Sequence, residues 1–300
     1  MTSTIQPLPD DVVHLIAAGE VIDSFAAVVR ELAENAIDAG ATRITVSLWA
    51  EQWRLRVADN GRGMLREDLK CAAQPHSTSK IQTSRDLWQI TSLGFRGEAL
   101  HSLAQLADLE ICSRSAEADS GWRVSYDRQG NPTQIEPVAI ARGTVVTASN
   151  LFGNWLPRRQ GLPSPSQQLR AVQLILQHLS LCHPHITWQI EQNDRSWFAI
   201  SSGTSPKQIL PQLLKDVQTG DLQELSLKWS EEPEKQPETE LQSPISITPS
   251  LHLLLGLPDR CHRYRPDWVK VAVNGRVVKL PELEQTILTG FRRTLPRDRH

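Results

Sequence analysis

The chain reads as an α+β fold: a two-layer α/β sandwich over residues 1–205, then a second, smaller α/β unit over 206–300 that is incomplete at its C-terminal end. Three observations predict this. Strand-like segments follow one another as hairpins instead of alternating with helical crossovers, which argues against a doubly wound parallel sheet. Helical and strand periodicities both occur, each over segments of ordinary length. Composition shifts near Ser201–Pro206, which places the boundary there. With 300 residues, 39% apolar and 22% charged, the chain has material for a sizeable core.

The elements follow in order. Residues 11–40 read as helical, and the stretch from Val28 to Ala39 ends in Gly40, a common helix stop. Ile44, Val46 and Leu48, then Leu55 and Val57, alternate as the two strands of a hairpin, with Arg54 and Arg56 facing the other way. The hairpin runs into Asp59-Asn60-Gly61-Arg62-Gly63. The segment beginning Leu93-Gly94 opens a helix that continues to about Leu106. Strands are expected at 108–114, 121–127, 143–148 and 185–191, and a helix at 166–181. Residues 230–244 are acidic, rich in proline and without periodicity, the signature of a flexible loop. Order resumes with a strand at 268–273, a turn at Asn274-Gly275 and a helix at 281–294.

Composition excludes several classes. No run of about eighteen apolar residues is present, so no membrane span is expected. The N-terminus lacks the basic flank and apolar core of a signal peptide. Cys71, Cys112, Cys182 and Cys261 are scattered without C-x-x-C spacing, which favours free thiols and a cytoplasmic location. A net charge of −2 gives no general warrant for nucleic-acid binding, so any DNA contact must be local and weak.

Three segments carry chemistry. On the helix ending at Gly40, Glu31, Asn35 and Asp38 fall on one face beside an apolar stripe of Leu32, Ala36 and Ala39. A solvated polar face is the simplest account. Against it, Glu34 and Asp38 lie in the C-terminal half, where negative charge opposes the helix dipole at roughly 0.3–1 kcal/mol each. No Lys or Arg follows Arg30 in that helix to relieve them, but a bound cation would. An asparagine oxygen suits a hard metal, and a nearby carboxylate can polarise water. Second, Asp59-Asn60-Gly61-Arg62-Gly63-Met64 follows a strand. These are ordinary turn residues, or an aspartate acceptor for an adenine amino group with glycines that admit a nucleoside. Third, Gly94-Phe95-Arg96-Gly97 precedes a helix, where converging N–H groups favour an anion. Ser77-Thr78-Ser79-Lys80 adds hydroxyls and an ammonium within reach of a phosphate. The G-x-x-x-x-G-K-[ST] pattern of P-loop enzymes is absent.

Taken together, these segments occur in a telling order: IAAGEVI at 16–22, ELAENAIDAGAT at 31–42, DNGRGM at 59–64, HSTSKI at 76–81, LGFRGEAL at 93–100 and Gly143-Thr144. The series resembles the MutL branch of the GHKL ATPase superfamily, which also holds type II topoisomerases, the ninety-kilodalton heat-shock chaperone and histidine kinases. IAAGEVI and GFRGEAL are specific to the mismatch-repair branch. The likeness is strong over roughly 8–160 and looser beyond.

The resemblance implies slow, magnesium-dependent ATP hydrolysis that drives conformational switching in DNA mismatch repair. Glu31 would be the general base for water, and Asn35 would bind the magnesium bridging the phosphates. Asp59 and Thr144 would recognise adenine, with Ala39 and Met64 lining the nucleoside pocket. Thr78, Ser79 and Lys80, with Gly94, Phe95, Arg96, Gly97, Glu98, Ala99 and Leu100, would form the lid around the triphosphate. ATP-dependent pairing of two copies and contact with a mismatch-recognition protein of the MutS type are implied, as is a second domain resembling a small-subunit ribosomal protein. That domain would continue past residue 300 to a strand whose lysine reaches the terminal phosphate. A topoisomerase subunit and a non-hydrolysing platform remain alternatives; a buried general base at Glu31 argues against the platform.

The chain departs from the family pattern at Leu151-Phe152-Gly153-Asn154-Trp155-Leu156-Pro157-Arg158, where a tyrosine is lost and the proline displaced. Gln74-Pro75 stands ahead of His76 where an arginine is usual. His178, Cys182, His183 and His185 cluster in sequence, but at a helix-to-strand junction where four convergent zinc ligands are not expected.

Overall fold

The computed structural model describes residues 6–81, 83, 86, 92–229, 249–295 and 299; the acidic segment at 230–244 lies outside them. Helices α1 (Asp10–Val21) and α2 (Phe25–Asp38) replace the single helix expected over 11–40. The break is local. Ile22 turns into the core, and the extended Ser24 caps α2 by accepting the Ala27 N–H at 3.2 Å, so the two axes bend by 73°. Among the described residues no single helix is long and apolar enough to cross a membrane.

Eight strands form one sheet: β1 (Arg43–Trp49), β2 (Arg54–Asp59), β3 (Asp108–Arg114), β4 (Gly121–Tyr126), β5 (Pro132–Val138), β6 (Gly143–Ser149), β7 (Thr187–Gln192) and β8 (Arg195–Ile200). Their order is β5-β4-β3-β6-β2-β1-β7-β8, and among the described residues only the β1–β7 pairing is parallel. The β1–β2 hairpin has the expected register, with Val46 opposite Val57. The edge strands β5 and β8 were not legible in the sequence. Pro132 and Pro137 disguise β5, and proline is tolerated there because an edge strand has one unpaired side.

Cross-strand partners share a face, so the register identifies the core. One row runs Ile190–Val46–Val57–Val146–Ile111–Val124 through six neighbouring strands. Two residues along the strands, Leu48–Leu55–Ala148–Leu109 extends the same face. All of these are buried. Against that face pack α2, α4 (Ala99–Leu106) and α6 (Pro165–Cys182), with α1 lying on α4; the short helices α3 (Arg66–Cys71) and α5 (Leu156–Gln160) precede α4 and α6 in turn along the chain. The other face is polar: Ser47 donates to Glu191 at 2.7 Å, Arg54 stacks on Trp49, and Arg123 pairs with Glu136 at 3.0 Å. Helices on one face and polar side chains on the other make the sandwich two-layered, as expected.

The departing segment at 151–158 is built into this core. Leu151 and Phe152 are fully buried, and Asn154 Nδ2 donates to the Gln105 carbonyl at 2.8 Å. Trp155 leans so closely on α1 that any side chain at Gly19 would overlap its ring. Residues 93–98 run as a loop before α4 and not as its first turn, because the N–H groups of Leu93 and Gly94 turn to the Asp38 carboxylate.

After Ile200 come α7 (Pro206–Leu213), the antiparallel pair β9 (Leu222–Lys228) and β10 (Ser250–Gly256), α8 (Pro258–Cys261), the pair β11 (Val271–Val273) and β12 (Arg276–Val278), and α9 (Pro281–Phe291). Neither pair joins the large sheet. The strand expected at 268–273 is shortened because a turn, closed by Val269 N–H on the Pro266 carbonyl at 3.1 Å, occupies its start.

Candidate active site

A third row on the core face breaks the apolar rule: Trp188–Ile44–Asp59–Thr144–Ser113–Trp122. Three polar residues sit side by side where the register calls for apolar ones. Such a group is tolerated when its hydrogen bonds are met. Ser113 Oγ contacts Thr144 Oγ1 at 2.9 Å, donates to the Gly143 carbonyl and accepts the Met64 N–H at 2.9 Å. Asp59 Oδ1 accepts the Gly61 N–H at 2.7 Å. Burial pushes the Asp59 carboxyl up to about 6, against the weaker opposing pull of its backbone hydrogen bonds. The cluster therefore holds a desolvated acceptor.

Backbone packs tightly around it. A Cβ at Gly61 would lie 2.8 Å from the Ala39 carbonyl, and one at Gly143 would lie 2.0 Å from the Asp59 carbonyl. Gly143 also takes a φ of +122°, which an L side chain resists. Asn60 fastens the turn from below by accepting the N–H groups of Thr42 and Arg43 at 2.9 and 2.8 Å. The end of α2 and the turn after β2 are thus one rigid unit.

The polar face of α2 looks across the same space. Glu31, expected to be buried, is instead partly exposed, because it sits at the rim of the cavity, and it lies 3.3 Å from an Arg30 nitrogen. Lys80 places its ammonium 3.0 Å from Asn35 Oδ1 and 2.6 Å from Asp38 Oδ2. Asp38 also accepts the N–H groups of Leu93 at 2.8 Å and Gly94 at 3.0 Å, so one carboxylate holds both lid segments. In this structure Lys80 serves as the counter-ion of α2, whereas the sequence reading directed it at phosphate. Glu34, only 2% exposed, is paired with Arg276 at the start of β12. Loss of solvent raises its carboxyl above the ordinary range, and Arg276 opposes that rise. Both charges that conflict with the helix dipole are therefore answered by side chains from elsewhere in the chain.

Every residue to which the resemblance gives a role lines a single cavity of about 1350 Å³ between α2, the turn after β2, the lid segments and the start of α4, whereas Asp38 lies behind it. Gly275, Arg276, Val277 and Val278 close its far side. Sequence reasoning passed over Ser113, Asp38's grip on the lid, and Arg276. Ser113 left a signal: a small polar residue at an apolar position of a well-patterned strand. Arg276 left none, since its partner is distant in sequence. Of the histidine–cysteine cluster, His183 is engaged through Nε2 with the Gly275 carbonyl at 3.1 Å. No group of three or more candidate metal ligands occurs among the described residues.

Residues 23–145 match the family model for histidine kinase-, DNA gyrase B-, and HSP90-like ATPases. The DNA mismatch repair protein MutL of Nostoc punctiforme (strain ATCC 29133 / PCC 73102) is 62% identical across 100% of this chain and 53% of its own length. That of Exiguobacterium sp. (strain ATCC BAA-1283 / AT1b) is 34% identical, over 99% of this chain and 46% of its own. The N-terminal domain of a DNA repair protein superposes with a TM-score of 0.77 at 23% identity, covering 96% of this chain and 86% of that one. The Aquifex aeolicus MutL ATPase domain complexed with ADP gives 0.61 at 20% identity, covering 92% and 89%. At such identities these two establish the fold. The chain belongs to the MutL family, as a GHKL-type ATPase region. It spans about half the length of the curated relatives it matches.

Proposed function

We propose that this chain binds ATP with magnesium, hydrolyses it slowly, and uses the bound state to switch conformation in DNA mismatch repair. The observation that carries this reading is the meeting of a desolvated carboxylate (Asp59) and a polar helix face (Glu31, Asn35) across one cavity large enough for a nucleotide. Asp59, with Thr144, receives the adenine, and Ala39 and Met64 line the nucleoside. Asn35 holds the magnesium; its Oδ1 already accepts a cationic donor from Lys80, so the oxygen suits a cation. The magnesium supplies charge neutralisation for the phosphates. Thr78, Ser79, Lys80 and residues 94–100 surround the triphosphate, which is received by those N–H groups ahead of α4 that Asp38 does not hold. Glu31 takes the proton from the attacking water.

Residues 1–205 form the ATPase unit and 206–300 a second unit; in support, all strands up to Ile200 share one sheet and later strands do not. In the cell the chain acts in the cytoplasm. ATP favours association with a second copy, because a ligand that binds one conformation better shifts the population toward it. A MutS-type mismatch-recognition protein is the proposed partner.

A steady-state phosphate-release assay with magnesium and ATP tests the reading. Slow release that disappears on chelating the metal is expected; nucleotide binding without any turnover would leave only a binding platform. DNA contact is expected to be weak and non-specific, given a net charge of −2. Its affinity should fall steeply as salt rises, since phosphate neutralisation dominates such binding. A titration showing tight, salt-insensitive or sequence-selective binding would overturn this.

A further inference from the structure

Among the described residues, the arginines and lysines lining the cavity are Arg30 on α2, Arg62 in the turn after β2, Lys80 and Arg96 on the lid segments, and Arg276 on the distant 271–278 hairpin. Arg276 is the first residue of β12, and its turn is gripped from behind, where His183 at the end of α6 bonds the Gly275 carbonyl at 3.1 Å. β12 itself packs on α6, which packs on α2. From this anchored position the guanidinium reaches Glu34, its one hydrogen-bond partner among the described residues. A guanidinium has five N–H donors, and 43% of this side chain stays exposed at the cavity. Glu34 is 2% exposed, one helical turn after Glu31 and adjacent to Asn35. Arg30 and Glu31 are the other charged groups acting on it.

The geometry points to Arg276 as a positioning residue for hydrolysis: by holding Glu34, it fixes the face of α2 that presents Glu31, and so ties turnover to the seating of the 271–278 hairpin. This rests on the ATPase reading above. The local alternatives are poor. Glu34 lies in the half of α2 where the helix dipole opposes a carboxylate, and α2 has no base in its last turn. A buried charge whose partner is removed must move, gain a proton or draw in water. Each outcome disturbs the turn of helix that carries Glu31. Because the two residues are separated by 242 positions, α2 keeps this arrangement only while the hairpin is docked.

The test compares Arg276→Ala, Arg276→Lys, Glu34→Gln and the double variant Glu34→Gln/Arg276→Ala with the unaltered chain. The readouts are kcat, KM, equilibrium binding of a non-hydrolysable ATP analogue, and thermal melting. Arg276→Ala and Glu34→Gln should each lower kcat about tenfold while analogue affinity changes less than about threefold, the signature of an interaction felt in the reaction and not in ground-state binding. The double variant should lose no more than the worse single one, since both changes break one contact. Arg276→Lys should recover part of the rate. Multiplicative losses in the double variant, or weakened analogue binding at unchanged kcat, overturn the proposal. If Arg276→Ala melts below the assay temperature, Arg276→Lys and Glu34→Gln decide it by the same kcat-against-affinity criterion. An unaltered chain without turnover would defeat the ATPase reading; a normal rate in Arg276→Ala beside an active parent would defeat this inference alone.

Discussion

Glu31→Ala is expected to reduce ATP turnover by about two to four orders of magnitude while nucleotide affinity stays within about threefold, because general-base assistance acts on the water and not on the bound nucleotide. Glu31 is suited to this division. It lies at the cavity edge, partly exposed, with an Arg30 nitrogen 3.3 Å from its carboxylate. Removing its carboxylate leaves the Asn35–Lys80–Asp38 contacts intact. Asn35→Ala should behave differently. It deletes the oxygen proposed for the metal and one partner of Lys80, so binding of magnesium-ATP itself should weaken. Measuring equilibrium binding beside single-turnover hydrolysis separates the two. A Glu31→Ala variant that hydrolyses at the parental rate removes Glu31 as the base.

Asp59→Asn is expected to push stability and binding in opposite directions. The Asp59 carboxyl titrates near 6 in the folded chain, against an ordinary value of 3.8, because burial penalises its charge. A folded-state pKa above the unfolded one means that protons favour the fold. The stabilisation is complete below about pH 4 and is lost as pH rises through about 6. At neutral pH the ionised carboxylate therefore costs about 1–3 kcal/mol, and the amide removes that cost. The nucleotide-free variant should resist urea better than its parent at neutral pH, and the difference should shrink in acid. ATP binding should fall, since an amide that turns its NH2 toward the adenine amino group sets donor against donor; the loss is about 1–3 kcal/mol. Selectivity for adenine over guanine nucleotides should fall with it. Unchanged affinity would take Asp59 out of the base pocket, and unchanged urea resistance would show that its charge is not strained.

These two positions were legible in the sequence for a reason that extends to much of the fold. Strand alternation repeats every second residue and helix faces every three to four, so Ile44 to Leu48, Leu55 to Val57 and the Glu31/Asn35/Asp38 face are set by neighbours. The turn after Asp59 and the glycines before α4 are local in the same way. Legibility failed where local signals were weak. The α1–α2 break depends on one serine cap, β5 is disguised by two prolines, and α4 starts late because Asp38 draws the Leu93 and Gly94 N–H groups to itself.

The sequence by itself determined that α2 carries acidic groups its own helix cannot satisfy; it did not say what satisfies them. A bound cation was one answer, and the folded chain supplies two of its own: Lys80, 42 positions from Asp38, and Arg276, 242 positions from Glu34. Likewise Ser113 reads as an ordinary strand serine until pairing with β6 sets it beside Thr144. Hydrogen bonds and ion pairs act over a few ångströms of space, whatever the separation along the chain. Periodicity records only which way a side chain faces. Strand register and helix packing choose what it meets, and at this site they decided how each buried charge is balanced.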